Sequence, residues 1–196
     1  MASTQPPEQF PLSHAKHVKG TRYMAREKVL QILAATADGE TAWDVVFPHI
    51  FERQFTFETV NPPEDQKRIL RPEEVRDLEA DVPIDWSQED REYAIQVVRA
   101  ARDQQEEATA LINRYTENWE LDRIAFMDRM LMHLAIAECT ACSDIPLKVT
   151  INEVIELAKR YSTDRSGTFI NGILDAIIKE LKGAGKILKT GRGLVE

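Results

Sequence analysis

The 196-residue sequence contains no run of 18 or more apolar residues, and its N-terminus, MASTQPPEQFPLSHAKH, has no apolar segment like those of signal peptides. We therefore expect neither a membrane-spanning helix nor a secretory leader, and the sequence predicts a cytoplasmic protein with no membrane partner. A glycine-rich phosphate loop and a repeat of 20 to 50 residues are also missing. Neither a P-loop nucleotide site nor a solenoid is indicated.

Cysteine is scarce, with only Cys139 and Cys142 in the sequence. Their C-x-x-C spacing suits a redox pair or half of a zinc site. A structural zinc would need two further ligands, and the four histidines are scattered. A thioredoxin-like pair would follow a strand, whereas these cysteines end a helical pattern. We expect no metal, no cofactor and two half-buried thiols.

No combination of nucleophile, base and orienting residue can be assembled from the sequence. The predicted helices carry two carboxylate pairs, Glu153 with Glu156 and Asp128 with Glu138. Such pairs usually lie on the solvated face of a helix. His133 lies within an apolar run and is expected to be a satisfied, partly buried side chain. The sequence therefore predicts a binding module and not an enzyme.

The charge is unevenly distributed along the chain. The formal net charge is −8, but five basic residues stand against one acidic residue both from position 14 to 28 and from 179 to 192. Residues 29–178 hold 15 basic and 29 acidic side chains, a net charge of −14. An acidic body with two basic ends suggests contact with a polyanion at particular places, and the alternative is that the terminal lysines only solvate the ends.

Apolar residues recur at helical spacing along most of the chain, which predicts an all-α fold. Thr21 and Ser87 are predicted helix N-caps, a single long helix is predicted from about residue 88 to 118, and the segment LDRIAFMDRMLMHLAIAEC is predicted to be the central helix. Pro48 is expected to kink the second helix or to mark its first turn. The predicted organisation is a flexible tail at 1–19, one helical domain at 20–182 with an insertion at about 55–84, and a basic tail at 183–196.

Asn171 and Gly172 form a dipeptide typical of tight hairpin turns, but the apolar residues around it have helical spacing. We interpret it as part of a helix start, with Ser166 and Thr168 as candidate caps. Gly172 would let a neighbouring helix or a ligand approach closely, and Asn171 would face that neighbour or the ligand.

Two blocks carry a family resemblance. They are MAREKVLQIL at 24–33 and DIPLKVTINEVIELAKRYSTDRSGTFINGILDAI at 144–177. In this order, separated by a long helical region, they resemble the NusB family of bacterial transcription antitermination factors. The resemblance implies a compact all-α bundle of about six to seven helices in two helical subdomains. It further implies an RNA-binding antitermination factor that pairs with NusE, a small-subunit ribosomal protein, to bind boxA RNA, joins the RNA polymerase antitermination complex and promotes processive ribosomal RNA transcription.

The resemblance also implies functional residues. The arginine-rich start of the first helix, which contacts RNA in the family, matches Arg22 and Arg26, while Tyr23 and Met24 occupy positions that are often basic. Neighbouring lysines are expected to compensate, since phosphate attraction depends on nearby positive charge. Phe169 matches an aromatic residue on which a base can stack. The full predicted RNA-binding set is Lys16, Lys19, Arg22, Arg26, Lys28, Phe169 and Asn171.

For the partner interface, Glu138 matches a family acidic residue, and an acid there suits a basic ribosomal protein. Ala34 and Ala137 replace family tyrosines at this interface, so we expect altered NusE recognition. Two alternatives stay open. One is an accessory domain like the helical domain of certain RNA cytosine methyltransferases, and the other is a homodimer or larger homo-oligomer with a masked RNA surface and no NusE dependence.

Overall fold

The computed structural model describes residues 18–52, 84–116, 124–187 and 189. This part of the chain contains seven helices and two short strands, so the predicted all-α fold is confirmed. None of these helices combines the length and the apolar character needed to cross a bilayer. The helices are α1 (Arg22–Ala35), α2 (Trp43–Ile50), α3 (Gln88–Asp103), α4 (Gln105–Thr116), α5 (Phe126–Ala141), α6 (Leu147–Tyr161) and α7 (Ser166–Gly183), and the strands are β1 (Val18–Lys19) and β2 (Ile84–Asp85).

Helix α5 is the central element, as the sequence predicts. It packs against α1, α3, α4, α6 and α7. Every residue from 131 to 139 is buried, because neighbouring helices cover α5 on all sides. His133, 9% exposed, is partly buried as expected. Burial, followed by the charge of Arg129, lowers its pKa, so the neutral imidazole is favoured.

The predicted helix caps at Thr21 and Ser87 are confirmed. The Thr21 hydroxyl accepts a hydrogen bond from the backbone N–H of Met24 at 3.3 Å. The Ser87 hydroxyl accepts one from the N–H of Asp90 at 3.1 Å and donates to the Asp90 carboxylate at 2.7 Å. Each cap satisfies a backbone donor that has no partner within the first helical turn.

The prediction of one long helix after Ser87 is wrong, because the helix breaks at Gln104 between α3 and α4. The backbone of Gln104 leaves helical geometry (φ −103°, ψ 9°), and its side-chain oxygen accepts a hydrogen bond from Thr140 at 3.0 Å. Helix α3 packs on α1 and α5, whereas α4 packs on α5 and α7. The break thus separates two segments that both contact α5 but pack on different second helices. Helix α2, by contrast, continues through Pro48 and ends at Ile50.

Val18 and Lys19, the last two residues of the predicted flexible tail, form strand β1. Strand β1 pairs in parallel with β2, and the Gly20 N–H donates to the Asp85 carbonyl at 2.9 Å. A Cβ atom at Gly20 would lie 2.5 Å from Trp86 Cε3, so only glycine fits there. Trp86 Nε1 in turn donates to the Phe51 carbonyl at 2.8 Å.

The Trp86 contact joins the two described ends of the predicted insertion. Its ring stacks on that of Phe51 with a centroid distance of 4.3 Å, and Arg91 pairs with Glu52. We call Phe51, Trp86 and Gly20 the insertion clamp. The extended stretch FTFETV and the short helix RPEEVRDLEA predicted from the sequence lie outside the described residues.

Asn171 and Gly172 lie within α7, which confirms the helical interpretation of this dipeptide. Both are exposed, and a Cβ atom at Gly172 would meet nothing within 4 Å, so the expected close approach of a neighbouring helix is wrong. Ser166 is not an N-cap either. It is the first residue of α7, and its hydroxyl donates to Asp128 at 2.9 Å, which ties α7 to the start of α5.

Residues 184–187 and Lys189, which fall within the predicted basic tail, pack on the helical body. Gly185 takes a left-handed conformation (φ +69°), and the Lys186 N–H donates to the Leu181 carbonyl at 2.9 Å. Ile187 is 8% exposed, Lys186 pairs with Glu107, and Lys189 Nζ donates to the Cys142 carbonyl at 2.6 Å. Lys186 and Lys189 therefore help to attach this segment.

Candidate nucleic-acid interface

Arg26, one of the predicted RNA contacts, is a buried core residue with 2% of its surface exposed. Its Nε and Nη2 atoms donate to the two carboxylate oxygens of Glu138 at 2.7 and 3.0 Å. Its Nη1 donates to Glu153 at 3.3 Å. The prediction for Arg26 is corrected, since a guanidinium held on both sides by carboxylates inside the protein is unavailable to a phosphate.

Glu138, the predicted partner contact, is completely buried. Besides Arg26, it accepts hydrogen bonds from the hydroxyls of Tyr93 and Thr150, the latter at 2.6 Å. Ala137 beside it is 1% exposed. Both partner-contact predictions are corrected, because these residues lie on the central helix, where neighbouring helices already cover them. Ala34 on α1 is half-buried, and its contact with a partner stays a prediction.

The pKa shifts agree with a stable ion pair in the core. Burial alone would lower the pKa of Arg26, but its hydrogen bonds to Glu138, together with charge interactions with Tyr93, Glu138 and Glu153, outweigh burial and raise it. Burial, followed by the Glu138 charge, raises the pKa of Tyr93 well above its ordinary value. Arg26 therefore stays protonated, and the Tyr93 hydroxyl stays a hydrogen-bond donor. We call Arg26, Tyr93, Glu138, Thr150 and Glu153 the core charge network.

Arg22 is the predicted arginine that does reach the surface. Its side chain is 35% exposed, with the Nε atom 3.2 Å from Asp90 and the guanidinium carbon 4.3 Å from the Tyr93 ring centroid. These contacts fix the direction of the side chain and leave part of the guanidinium in solvent. Lys19 on β1 is exposed, and Lys28 is half-buried with Nζ 3.2 Å from the Gln31 side-chain oxygen. Lys16 lies outside the described residues.

Contacts between α1 and α6 bring the two family blocks together. Arg160 pairs with Glu27 at 3.0 Å, and the Tyr161 hydroxyl donates to the same carboxylate. The loop after Tyr161 leads within four residues to α7, where Phe169 is half-buried against the core and Asn171 is exposed. The side of α1 that carries Glu27 is thus linked to the start of α7 through the end of α6, whereas Arg22 contacts α3. Arg160 was missed by the sequence analysis, because only its contact with Glu27 shows that it lies beside α1.

Asp128 is also buried, against the expectation of a solvated carboxylate pair with Glu138. One of its oxygens accepts the hydrogen bond from Ser166, whose hydroxyl also lies 2.8 Å from that of Thr163. The other oxygen is buried without a hydrogen-bond partner among the described residues. The contact between Asp128 and Ser166 fixes the start of α5 against the start of α7.

Cys139 and Cys142 are buried more completely than the sequence predicts, at 0% and 2% exposure. They are free thiols, and burial raises the pKa of each to about 12. In the described ranges, no group of three or more histidine, cysteine or acidic side chains is arranged to hold a metal. This environment suits packing and disfavours the thiolate needed for redox chemistry or zinc binding.

We expect both thiols to react slowly with a disulfide reagent such as DTNB at about pH 8, because burial keeps them protonated and inaccessible. When the protein is unfolded in guanidinium chloride, both thiols should react with DTNB as fast as free cysteine does. Absorbance of the released thionitrobenzoate measures both rates. A native reaction as fast as that of the unfolded chain would contradict the buried placement.

The range of the chain that matches a known family contains both blocks. Residues 24–179 match the model of the NusB family. The chain is 45% identical over 114 residues to the transcription antitermination protein NusB of Salinibacter ruber. These aligned residues cover 58% of this chain and 71% of that protein. It is 44% identical over 106 residues to the protein of the same name from Chloroherpeton thalassium, covering 54% of this chain and 50% of that protein.

Solved structures agree on the fold. NusB of T. maritima superposes with a TM-score of 0.60 and 30% sequence identity, over 83% of this chain and 94% of that one. A crystal structure of the antitermination factors NusB and NusE in complex with dsRNA contains a chain that superposes with a TM-score of 0.57 at 20% identity, over 82% and 99%. At this level of identity, the superposition on the complex shows a shared fold. With the match over residues 24–179, these findings establish that the chain belongs to the NusB family.

Proposed function

We propose that this protein is an RNA-binding transcription antitermination factor. It pairs with a NusE-type ribosomal protein, binds boxA RNA and joins the elongating RNA polymerase to promote processive ribosomal RNA transcription. The observation that carries the proposal is the family match over residues 24–179. Its curated relatives are named transcription antitermination proteins.

The position of the basic residues supports RNA contact at the start of α1. Lys19 is exposed, and the partly exposed guanidinium of Arg22 is directed by Asp90 and Tyr93. These cations attract phosphates, while on α7 Phe169 is half-buried and Asn171 is exposed. Lys28 adds positive charge on the same helix, and contact of Lys16 with RNA stays a prediction. Arg26 acts differently, since it holds α1 to α5 and α6 through the core charge network.

The charge of the body supports a basic protein partner. Residues 29–178 carry a net charge of −14, which favours association with a basic ribosomal protein. Because Glu138 and Ala137 are buried, this attraction must come from other acidic side chains of the surface. Ala34 is the remaining predicted partner contact, and its small side chain offers little anchoring area.

Substitution of Arg22 by alanine tests the RNA site. We expect weaker boxA binding in the presence of the NusE partner. The plot of log affinity against log salt concentration should become less steep, its slope shrinking in magnitude by about one, because one phosphate contact is lost. Fluorescence anisotropy of labelled RNA over a salt series measures both quantities. Arg114→Ala is the matched control, since Arg114 is 55% exposed and pairs with Glu180 on α7.

Arg26→Ala separates RNA contact from a structural role. It should lower the free energy of unfolding, and at temperatures where the variant is folded its salt slope should equal that of the unaltered protein. Weak binding to any RNA, with no enhancement by the NusE partner, would overturn the proposed function. Light scattering on the free protein would detect the alternative of a homodimer that masks the RNA surface.

A further inference from the structure

Asp90 lies in the first turn of α3, where the helix cap holds it. Its backbone N–H donates to the Ser87 hydroxyl at 3.1 Å, and the same hydroxyl donates to the carboxylate oxygen Oδ2 at 2.7 Å. An acidic side chain in the first turn also interacts favourably with the positive end of the helix dipole. Only 12% of the Asp90 side chain is exposed. The second carboxylate oxygen, Oδ1, is therefore held in a fixed place.

This second oxygen faces Arg22 at the start of α1. The Nε atom of Arg22 lies 3.2 Å from Asp90 Oδ1, and its guanidinium carbon lies 4.3 Å from the centroid of the Tyr93 ring. Tyr93 follows Asp90 at the i+3 position, so the two side chains are neighbours on the same face of α3. Helix α3 thus contacts the guanidinium with a carboxylate at its Nε edge and with the face of a ring.

The protein core fixes the position of this ring. Tyr93 is 3% exposed, and its hydroxyl donates to the completely buried Glu138. Glu138 in turn accepts two hydrogen bonds from Arg26, which lies about one turn after Arg22 on α1. The core charge network therefore holds α1 and the ring of α3 in one arrangement, and Arg22 packs against that ring.

The contact at Nε leaves the opposite edge of the guanidinium for a ligand. The Arg22 side chain is 35% exposed, although Asp90 and Tyr93 are both buried. The two terminal amino groups of an arginine can donate in parallel to two oxygens of one phosphate. An arginine that is already oriented loses less side-chain freedom when it binds. The arrangement therefore suits recognition of a phosphate by Arg22.

We infer that Asp90 is a positioning residue of the RNA site, which orients the Arg22 guanidinium toward a phosphate and does not itself contact RNA. This inference rests on the proposed function and gives α3 a part in it. A carboxylate that only repelled RNA would give tighter binding when neutralised. Neutralising a carboxylate that positions the arginine gives weaker binding instead.

The geometry favours positioning over inhibition. Asp90 contacts the Nε edge of Arg22 from the protein side, whereas RNA approaches the exposed part of the guanidinium, so the cation lies between the carboxylate and the phosphate. Salt and water weaken repulsion across that separation. Without the ion pair, only the Tyr93 ring would hold the arginine, and RNA would have to order the side chain on binding.

Asp90→Asn tests this inference. The variant keeps the backbone donor to Ser87, and its amide oxygen can accept from the Ser87 hydroxyl, so α3 should begin as before. With the NusE partner present, we expect boxA affinity to fall about three- to tenfold, because Arg22 is no longer oriented. The salt slope should shrink in magnitude toward that of Arg22→Ala. RNA anisotropy over a salt series measures both quantities, and NusE affinity measured without RNA should not change.

Glu180→Gln is the matched control. Glu180 pairs with Arg114, whose guanidinium carbon lies 5.5 Å from the Tyr115 ring centroid, so this group resembles that of Arg22 and Asp90. The control should bind RNA no more weakly than the unaltered protein. In the Arg22→Ala background, Asp90→Asn should cause no further loss of affinity. A further loss there, or an affinity of Asp90→Asn that equals or exceeds that of the unaltered protein, would overturn the inference.

Arg22→Lys is a second test that leaves α3 unchanged. Lysine keeps the positive charge but lacks the planar donors that the carboxylate and the ring orient. We expect Arg22→Lys to show most of the loss of affinity seen in Arg22→Ala. Full affinity of Arg22→Lys would overturn the inference, while a shrunken salt slope of Arg22→Ala in the same assay would leave the proposed function standing. Absence of boxA binding by the unaltered protein with its partner would overturn both.

Discussion

Substitution of Glu138 by alanine should lower the free energy of unfolding by about 3 to 5 kcal/mol, because it leaves a buried guanidinium without its main counter-charge. Arg26 would lose both of its hydrogen bonds to Glu138, at 2.7 and 3.0 Å, and keep only the longer contact with the partly exposed Glu153. Tyr93 and Thr150 would lose an acceptor as well. Each unsatisfied buried donor adds to the cost. Chemical denaturation followed by circular dichroism measures the change.

Two further variants separate the ion pair from the surrounding packing. Glu153→Ala should cost less than about 1 kcal/mol, since the Glu153 side chain is 31% exposed and its pairing with Arg26 is partly screened. Arg26→Met combined with Glu138→Leu removes both charges, and it should recover much of the stability lost in Glu138→Ala. Because the double variant and Glu138→Leu alone have the same volume at position 138, greater stability of the double variant than of Glu138→Leu would show that the unpaired charge causes the destabilisation.

The result also decides between two roles for Glu138. If Glu138→Ala had nearly unchanged stability and lost binding to the NusE partner, the residue would be an interface contact, contrary to its complete burial. If the Glu138→Ala variant is destabilised and its folded fraction still binds the partner, the core charge network has a structural role. The network then explains why the first helix, which carries Arg22, is held firmly to the central helix.

The burial of Arg26 had a signal in the sequence. Arg26, Val29, Leu30 and Leu33 follow the spacing i, i+3, i+4, i+7, so the arginine lies in the apolar stripe of α1. Glu138 likewise lies within a helix that is apolar over most of its circumference. A charged residue inside an apolar stripe predicts a buried partner of opposite charge. The identity of the partner could not be predicted, because 112 residues separate the pair.

Helical periodicity predicted most of the fold correctly, including the central position of α5 and the helical state of Asn171 and Gly172. Local patterns failed where long-range contacts decide the structure. The break at Gln104 depends on the divergent packing of α3 and α4, and it has no proline or glycine to mark it. The attachment of the start of α7 to the start of α5 depends on the contact between Asp128 and Ser166, which no spacing within either helix reveals.

Substitution of Trp86 by alanine should lower the free energy of unfolding by about 3 kcal/mol, because this half-buried ring joins segments that are distant in sequence. It stacks on Phe51 at 4.3 Å, donates to the Phe51 carbonyl at 2.8 Å and lies against Gly20. Loss of the insertion clamp should also loosen the pairing of β1 with β2, which positions Lys19 ahead of α1. We therefore expect weaker RNA binding as well as lower stability.

Trp86→Phe should retain the stacking and lose only the hydrogen bond, at a cost of about 1 kcal/mol. Trp43→Ala is the matched control, since Trp43 is also a half-buried indole but contacts Phe47 of its own helix, edge to face at 6.1 Å, and Arg99 of α3, whose guanidinium carbon lies 5.6 Å from the ring centroid. It should lower stability less and leave RNA affinity unchanged. Denaturation curves and RNA anisotropy on the three variants measure both effects. Equal losses in Trp86→Ala and Trp43→Ala would contradict the clamp, because they would show that Trp86 contributes only its buried area and does not hold the start of α1 in place.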